Sequence, residues 1–365
     1  MIKLLSVTAT AMAQITARKC PRQWSAMGSH VRRMLGLALL ATCFLSGHAA
    51  VAGCLDGKRL AGVNLSGPEF AADKLPGTVF KDYGYPDPDD MRHFQSAGMN
   101  TFRLPFLWER IQPQLFGPLD EAEVQRMEQT VATARSLGAC IILDVHNFGE
   151  YRGKPLDSSA VPRKAFFDLW SRLLARFKDP ENTAFGLMNE PSKLPIAAWA
   201  GVAQETLGIL RKNGSRHLIL VAGGNWSGAH SWFAKEQGVS NADAFSQFHD
   251  PANNYLIEVH QYADADFSGT QKSCIDPGRL NAVMSAITTW AKATKQRLFL
   301  GEFGVAATPP CLQALSAIVG GMQDRAAWGG WTYWTSSKWL GDYPFNLEPD
   351  SNGGKPQMAI LKTGL

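Results

Sequence analysis

The sequence has few charged residues, and its first 53 positions contain no acidic residue. Asp, Glu, Lys and Arg make up 19% of the 365 residues, and the formal net charge is +4. Six of the 36 basic residues lie in segment 1–53, so the rest of the chain carries 30 basic against 32 acidic residues, a net charge of −2. Because the basic excess belongs to the N-terminal segment, we expect no nucleic-acid partner.

The sequence also lacks an apolar run of the roughly 20 residues that a membrane-spanning helix needs. The apolar stretch 34–45 is too short for that, follows Arg32 and Arg33, and leads into small residues that end at Ala52. A basic start, a short apolar core and an A-x-A site are typical of a secretory signal. We therefore expect residues 1–53 to be a leader and residues 54–365 to be a secreted domain.

A second interpretation of the leader stays open. Residues 51–54 also resemble a bacterial lipoprotein processing box, which would place a lipid anchor on Cys54 and the protein at the outer membrane.

Cysteines are few, and none forms a CxxC pair that would indicate zinc. Cys140 lies in an apolar run, where we expect it to pack as a small hydrophobic side chain. Cys274 and Cys311 lie in polar or proline-containing loop sequence. Because an exported protein meets an oxidising compartment, we predict a disulfide between these two.

Eight β-rich runs alternate with amphipathic helical stretches after the leader, which predicts a single (β/α)8 barrel. A doubly wound sheet is less favoured because no GxGxxG follows the first run. The predicted strands are 59–64, 100–105, 140–146, 184–189, 217–222, 255–260, 297–302 and 330–335. The predicted helices are 120–137, 163–177, 196–212, 278–295 and 312–327.

Polar residues cluster at the carboxyl ends of these strands, where barrels carry their chemistry. Glu190 follows strand four and Glu302 ends strand seven, so their carboxylates can face each other across the barrel mouth. Two opposed carboxyl groups are what cleavage of a glycosidic bond requires. The sequence therefore predicts a glycosidase with Glu190 and Glu302 as its catalytic pair.

Several neighbours of this pair have assignable roles. We predict that Arg103 keeps Glu302 ionised, that Tyr262 donates its hydroxyl to the same carboxylate, and that Asn189 binds a sugar hydroxyl. His146 and His260 can donate hydrogen bonds to sugar hydroxyls.

A metal-dependent barrel hydrolase that uses the two histidines is an alternative. It has little support, because the sequence has neither HExxH nor an evident ligand cluster. We expect no metal and no cofactor.

Tryptophans follow several of the predicted strands. Trp334 offers an apolar face for a pyranose ring, and an exposed row would make a sugar-binding cleft. Other tryptophans in or next to the loops after strands two, five and eight are Trp108, Trp226, Trp232 and Trp339. Packing between barrel and helices is the competing role for them.

The ordered set of motifs resembles glycoside hydrolase family 5, in particular its bacterial and fungal endo-β-1,4-glucanases. The resemblance covers about residues 58–362. The motifs that carry it are LMNEP at 187–191, GEFG at 301–304, Arg103 within FRLP, His146-Asn147, His260-Gln261-Tyr262 and Trp334.

The resemblance implies a retaining mechanism with Glu302 as nucleophile and Glu190 as acid/base, their carboxyl groups about 5–5.5 Å apart. It also implies substrate-binding roles for Asn147, Trp226 and the other matched residues, and the same 274–311 disulfide. We expect a monomer acting on a β-1,4-glucan. A β-mannanase, xyloglucanase or β-1,3-glucanase on the same barrel, and a non-catalytic carbohydrate-binding barrel, remain alternatives.

Overall fold

The computed structural model describes Cys54, residues 57–349 and residues 354–365; the predicted leader lies outside this part of the chain. Eight parallel strands close into a barrel in which the last strand pairs with the first, so the predicted (β/α)8 fold is confirmed. The barrel strands are β1 (Leu60–Leu65), β2 (Thr101–Phe106), β3 (Cys140–Val145), β4 (Thr183–Gly186), β5 (Ile219–Ala222), β6 (Tyr255–His260), β7 (Leu298–Glu302) and β8 (Trp328–Ser336).

Helices surround the barrel, and the five predicted ones are present. The helix predicted at 312–327 begins and ends earlier, because Pro309 and Pro310 occupy its first positions and its last residues are Gly320 and Gly321. The helices are α1 (Pro88–Ser96), α2 (Trp108–Ile111), α3 (Glu121–Ser136), α4 (Arg163–Arg176), α5 (Ile196–Lys212), α6 (Asn241–Phe245), α7 (Pro277–Thr294), α8 (Pro309–Gly321) and α9 (Gln357–Leu361).

The barrel strands are buried on both faces, which explains their near-continuous apolar sequences. The large apolar core lies between strands and helices, while a second, smaller cluster takes alternate positions of the strands, such as Ile142 and Leu256. Side chains alternate along a strand, so residues two and four positions later point the same way. Those later positions are polar, which makes one end of the barrel interior apolar and the other charged.

Two disulfides are present among the described residues. Cys274–Cys311 confirms the predicted pair. Cys140 packs in the smaller apolar cluster, as expected of a small hydrophobic side chain, but its sulfur also bonds to that of Cys54, a pairing that the sequence did not predict. A disulfide sulfur cannot also carry a thioether-linked lipid, so this pairing and a lipid anchor on Cys54 exclude each other. No helix in the described part of the chain is long and apolar enough to cross a membrane.

The Cys54–Cys140 disulfide is expected to stabilise the fold. It joins residues separated by 86 positions, so replacing Cys140 with Ser should lower the free energy of unfolding by about 4 kcal/mol. Urea denaturation measures this, with Cys54→Ser as the matched control that should give the same loss. A free thiol at Cys140 in the purified protein, or a lipid on Cys54, would contradict the pairing.

Candidate active site

The carboxyl ends of the barrel strands surround one open cleft with a cavity of about 500 Å³. Eight of the ten predicted site residues line it: His146, Asn189, Glu190, Trp226, His260, Tyr262, Glu302 and Trp334. A larger cavity, about 630 Å³, involves the opposite end of the barrel near Cys54, and no Asp or Glu of the described residues lines it. The opposed carboxylates therefore identify the smaller cavity as the candidate active site.

Arg103 is fully buried and organises the charges around this cavity. Its Nη1 donates to Glu302 Oε1 at 3.0 Å, and its Nη2 lies 3.1 Å from Asp144 Oδ1 and 3.0 Å from Glu258 Oε1. Nη2 also donates to Asn189 Oδ1 at 2.8 Å. The guanidinium thus pairs with three carboxylates, only one of which was predicted.

Asp144 and Glu258 are two charged residues of the site that the sequence did not predict. Each is a single acid in an apolar strand, placed two residues before a predicted site histidine. That spacing puts acid and histidine on the same strand face, which was the available signal. Asp144 Oδ2 lies 2.9 Å from His146 Nδ1, and Glu258 Oε1 lies 3.2 Å from His260 Nε2.

Glu302 is held in its ionised form. Besides Arg103, the hydroxyl of Tyr262 donates to its Oε2 at 2.7 Å, as predicted. Burial alone would raise the pKa of Glu302, but the positive charges of His260 and Arg103 outweigh it and lower that pKa below its usual range. A buried carboxylate with these partners is suited to nucleophilic attack.

Glu190 has the opposite protonation tendency. Its burial raises the pKa, and the hydrogen bond between Oε1 and His260 Nδ1, at 2.7 Å, only partly opposes this. Its φ of 43° is uncommon for a residue with a side chain. A carboxylate oxygen of Glu190 and one of Glu302 lie within 4.8 Å of each other. The two carboxyl groups therefore face each other with pKa values pushed apart.

His146 packs against Trp334 at the cavity wall, with ring centroids 5.5 Å apart and nearly parallel planes. Its Nε2 lies 3.3 Å from Asn189 Nδ2. Burial lowers the pKa of His146, but the carboxylate of Asp144 outweighs burial and raises it. The histidine therefore holds both Asn189 and the Trp334 face in place.

Asn147 does not reach the cleft, in contrast to the role that the family resemblance implied. Its Oδ1 accepts from the backbone N–H of Trp108 at 2.7 Å, and its Nδ2 donates to Glu109 at 2.6 Å. The reason is the alternation of side chains, which directs His146 inward and its neighbour outward. Trp108 and Trp232 are buried in the barrel–helix layer, so the exposed row contains neither.

Aromatic side chains contribute to the wall of the cavity. Trp226 lines it and is 49% exposed, as expected of a stacking platform. His230 and Phe267, which were not predicted, also line the cavity and stack on each other with ring centroids 4.0 Å apart. The carboxylate of Asp264 accepts from Gly269 N and so fixes the adjoining loop.

Glu190, His260 and Glu302 bring three potential metal-ligand atoms within 4.8 Å of one another. These atoms are already engaged in the hydrogen bonds described above, with one another, Arg103 and Tyr262. A metal ion bound there would have to displace these hydrogen bonds. The absence of a metal remains a prediction.

Known proteins are similar to this chain in sequence and in fold. A family model described as cellulase (glycosyl hydrolase family 5) matches residues 61–337. The chain is 32% identical over 293 residues to a probable endo-β-1,4-glucanase B from Neosartorya fischeri, covering 80% of this chain and 86% of that protein.

Solved structures agree. An endo-β-1,4-glucanase from Xanthomonas axonopodis pv. citri is 44% identical, with a TM-score of 0.82 over 84% of this chain and 98% of that one. XacCel5A, solved in complex with cellopentaose, is 45% identical, with a TM-score of 0.82 over 85% of this chain and 100% of that one. The chain belongs to the cellulase family, glycosyl hydrolase family 5.

Proposed function

We propose that the chain hydrolyses internal β-1,4 bonds of a β-glucan by a retaining double displacement, with Glu302 as nucleophile and Glu190 as general acid and base. The observation that carries this proposal is the facing pair itself. A carboxylate oxygen of Glu190 and one of Glu302 lie within 4.8 Å of each other, which fits the short carboxyl separation of retaining enzymes. Inverting enzymes need a separation of roughly 6.5–9.5 Å, because a water molecule must fit between substrate and base.

The first step forms a glycosyl-enzyme. A carboxylate oxygen of Glu302 attacks the anomeric carbon while the bond to the leaving sugar oxygen breaks, and Glu190 gives its proton to that oxygen. The lowered pKa of Glu302 favours its ionised form, and the raised pKa of Glu190 favours its protonated form, as the first step requires. Asn189 is fixed by Arg103 and His146 and is assigned to bind a sugar hydroxyl next to the reacting carbon.

The second step releases the sugar. Glu190, now a carboxylate, takes a proton from a water whose oxygen attacks the anomeric carbon, and Glu302 leaves as a carboxylate. Tyr262 and Arg103 are placed to stabilise the charge that returns to Glu302.

The preferred substrate class is a β-1,4-glucan. Its sugar rings have flat C–H faces that pack on aromatic side chains, and Trp334 and Trp226 line the cavity. The complex of XacCel5A with cellopentaose supports the same ligand class. An uncharged polysaccharide needs no electrostatic steering, which suits the net charge of −2 outside the leader.

We further propose that residues 1–53 direct the export of a monomeric domain, residues 54–365. We also propose that Cys54 forms a disulfide and carries no lipid anchor. The two disulfides support an oxidising compartment.

Replacing the nucleophile tests the catalytic assignment. We expect wild-type protein to release reducing sugar from carboxymethylcellulose and Glu302→Gln to lose at least about 10⁴-fold in kcat, because no covalent intermediate can form. Mannan, xyloglucan and laminarin serve as comparison substrates. Turnover of mannan without turnover of carboxymethylcellulose would overturn the substrate assignment. Full activity of the Glu302→Gln variant would overturn the proposed mechanism.

The opposite pKa shifts predict a bell-shaped pH dependence of kcat/KM. Activity falls on the acid side as Glu302 becomes protonated and on the alkaline side as Glu190 loses its proton. Tyr262→Phe removes a donor to the Glu302 carboxylate, so its pKa rises and the acid limb moves to higher pH. An acid limb that stays in place would contradict this role of Tyr262.

Trp226 is expected to bind sugar without taking part in the reaction. Trp226→Ala should raise KM for cello-oligosaccharides about tenfold with a smaller change in kcat, because stacking on its exposed face is lost. Phe233, also exposed but outside the cavity, provides the control Phe233→Ala, which should leave KM unchanged. Equal effects of both variants would rule out a specific role.

A further inference from the structure

Glu258 is a buried carboxylate to which the reaction above assigns no role. It lies in β6, is 1% exposed and does not line the cavity. Space for it comes from Gly301 on the neighbouring strand β7, since a Cβ there would overlap the Glu258 carboxylate. The absence of a side chain at Gly301, next to the nucleophile Glu302, thus leaves room for an ionisable group that does not line the cavity.

The contacts of Glu258 lead to the acid/base. Its Oε1 lies 3.0 Å from Arg103 Nη2 and 3.2 Å from His260 Nε2. The other ring nitrogen of His260, Nδ1, lies 2.7 Å from Glu190 Oε1 and 3.7 Å from Glu302 Oε2. One imidazole therefore connects the buried carboxylate with both reacting carboxyl groups.

We propose that Glu258 is a positioning residue for the acid/base: through His260 it fixes both the orientation of the imidazole and the protons that the ring presents to Glu190. The proposal rests on the assignment of Glu190 as acid/base made above.

The geometry favours both nitrogens of His260 as donors. Nε2 faces the carboxylate of Glu258, and Nδ1 faces Glu190 and the ionised carboxylate of Glu302, so a proton on each nitrogen meets an acceptor oxygen. Only the imidazolium form donates from both nitrogens. In agreement, burial lowers the pKa of His260, but Glu302, Glu190 and Glu258 outweigh burial and raise it to about 10.

The other charged groups of the described site contact His260 differently or not at all. Arg103 on β2 opposes a charge on His260, while Asp144 on β3 reaches His146 and Arg103 but not His260. The titratable and charged groups of the cluster around His260 lie on β2, β3, β6 and β7 or in the segments that follow β3, β4 and β6, and are Arg103, Asp144, His146, Glu190, Glu258, Tyr262 and Glu302.

Among the three carboxyl groups that face His260, Glu258 alone keeps its charge throughout the reaction. Glu302 becomes an uncharged ester in the first step, and Glu190 alternates between acid and carboxylate. Glu258 forms no bond to substrate and remains paired with His260 and Arg103. It can therefore hold the imidazolium of His260 in the same orientation and charge state through both steps. Glu190 then gives and regains its proton next to a histidine that does not change.

Substrates that differ in their need for an acid separate this role from a structural one. Glu258→Gln keeps the size of the side chain and removes its charge. On an aryl β-cellobioside with a poor leaving group, we expect kcat/KM to fall about 10- to 100-fold, because acid catalysis is impaired. On dinitrophenyl β-cellobioside, whose leaving group needs no proton, we expect a loss of about threefold or less.

Asp144→Asn is the matched control. It also removes one carboxylate from Arg103 Nη2 but leaves His260 untouched. It should lower kcat/KM equally on both substrates, because it acts on the nucleophile through Arg103. Equal losses on both substrates for Glu258→Gln would overturn the proposal. Failure of the wild-type protein on both substrates would instead contradict the proposed function.

The wild-type protein provides a test that does not depend on folding of a variant. In ¹⁵N-histidine-labelled protein, we expect both ring nitrogens of His260 to carry protons at about pH 8, where an ordinary histidine is neutral. The signal is assigned by its loss in His260→Gln. A neutral His260 at that pH, or an unchanged titration in Glu258→Gln, would overturn the proposal.

Discussion

The charged end of the barrel depends on the burial of one guanidinium. Arg103 is inaccessible to water, and a buried cation without partners would cost far more free energy than the fold can supply. The planar group fixes the directions in which its donors point, so the carboxylates of Asp144, Glu258 and Glu302 must lie where they do. The same requirement that stabilises the barrel interior therefore positions the nucleophile before any substrate binds.

Strand geometry converts this requirement into a layered interior. Because side chains alternate, Leu256 belongs to the apolar end of the barrel, Glu258 to the ion cluster and His260 to the cavity wall. Parallel neighbours in register bring the same layers together, and close packing leaves no free volume for extra carboxylates. Gly186 and Gly301 supply it: a Cβ at either position would crowd Asp144 or Glu258.

The sequence predicted the barrel, its eight strands, the facing glutamates and the partners of Glu302, because strand period and strand-end position are local properties. It failed where three-dimensional neighbours decide. Asn147 follows His146, which lines the cavity, but points the other way, towards Glu109. Cys140 is a core residue as expected, but its disulfide was missed because nothing local shows that Cys54 lies beside it. Glu258 was missed because an acid within an apolar strand gains meaning only once Arg103 is known to lie opposite.

One set of charges produces two opposite protonation states because its parts are unequally distributed. Glu302 accepts hydrogen bonds from Arg103 and Tyr262 and also lies near His260. The stabilisation of its charged form therefore exceeds the cost of burial, and its pKa is lowered. Glu190 has His260 as its one direct charged partner in the described structure, and burial prevails. The difference between nucleophile and acid thus lies in how many donors each carboxyl group receives. Because His260 lies next to both Glu190 and Glu302, the proposed role of Glu258 on this histidine would also influence the difference between the pKa values of these two carboxyl groups.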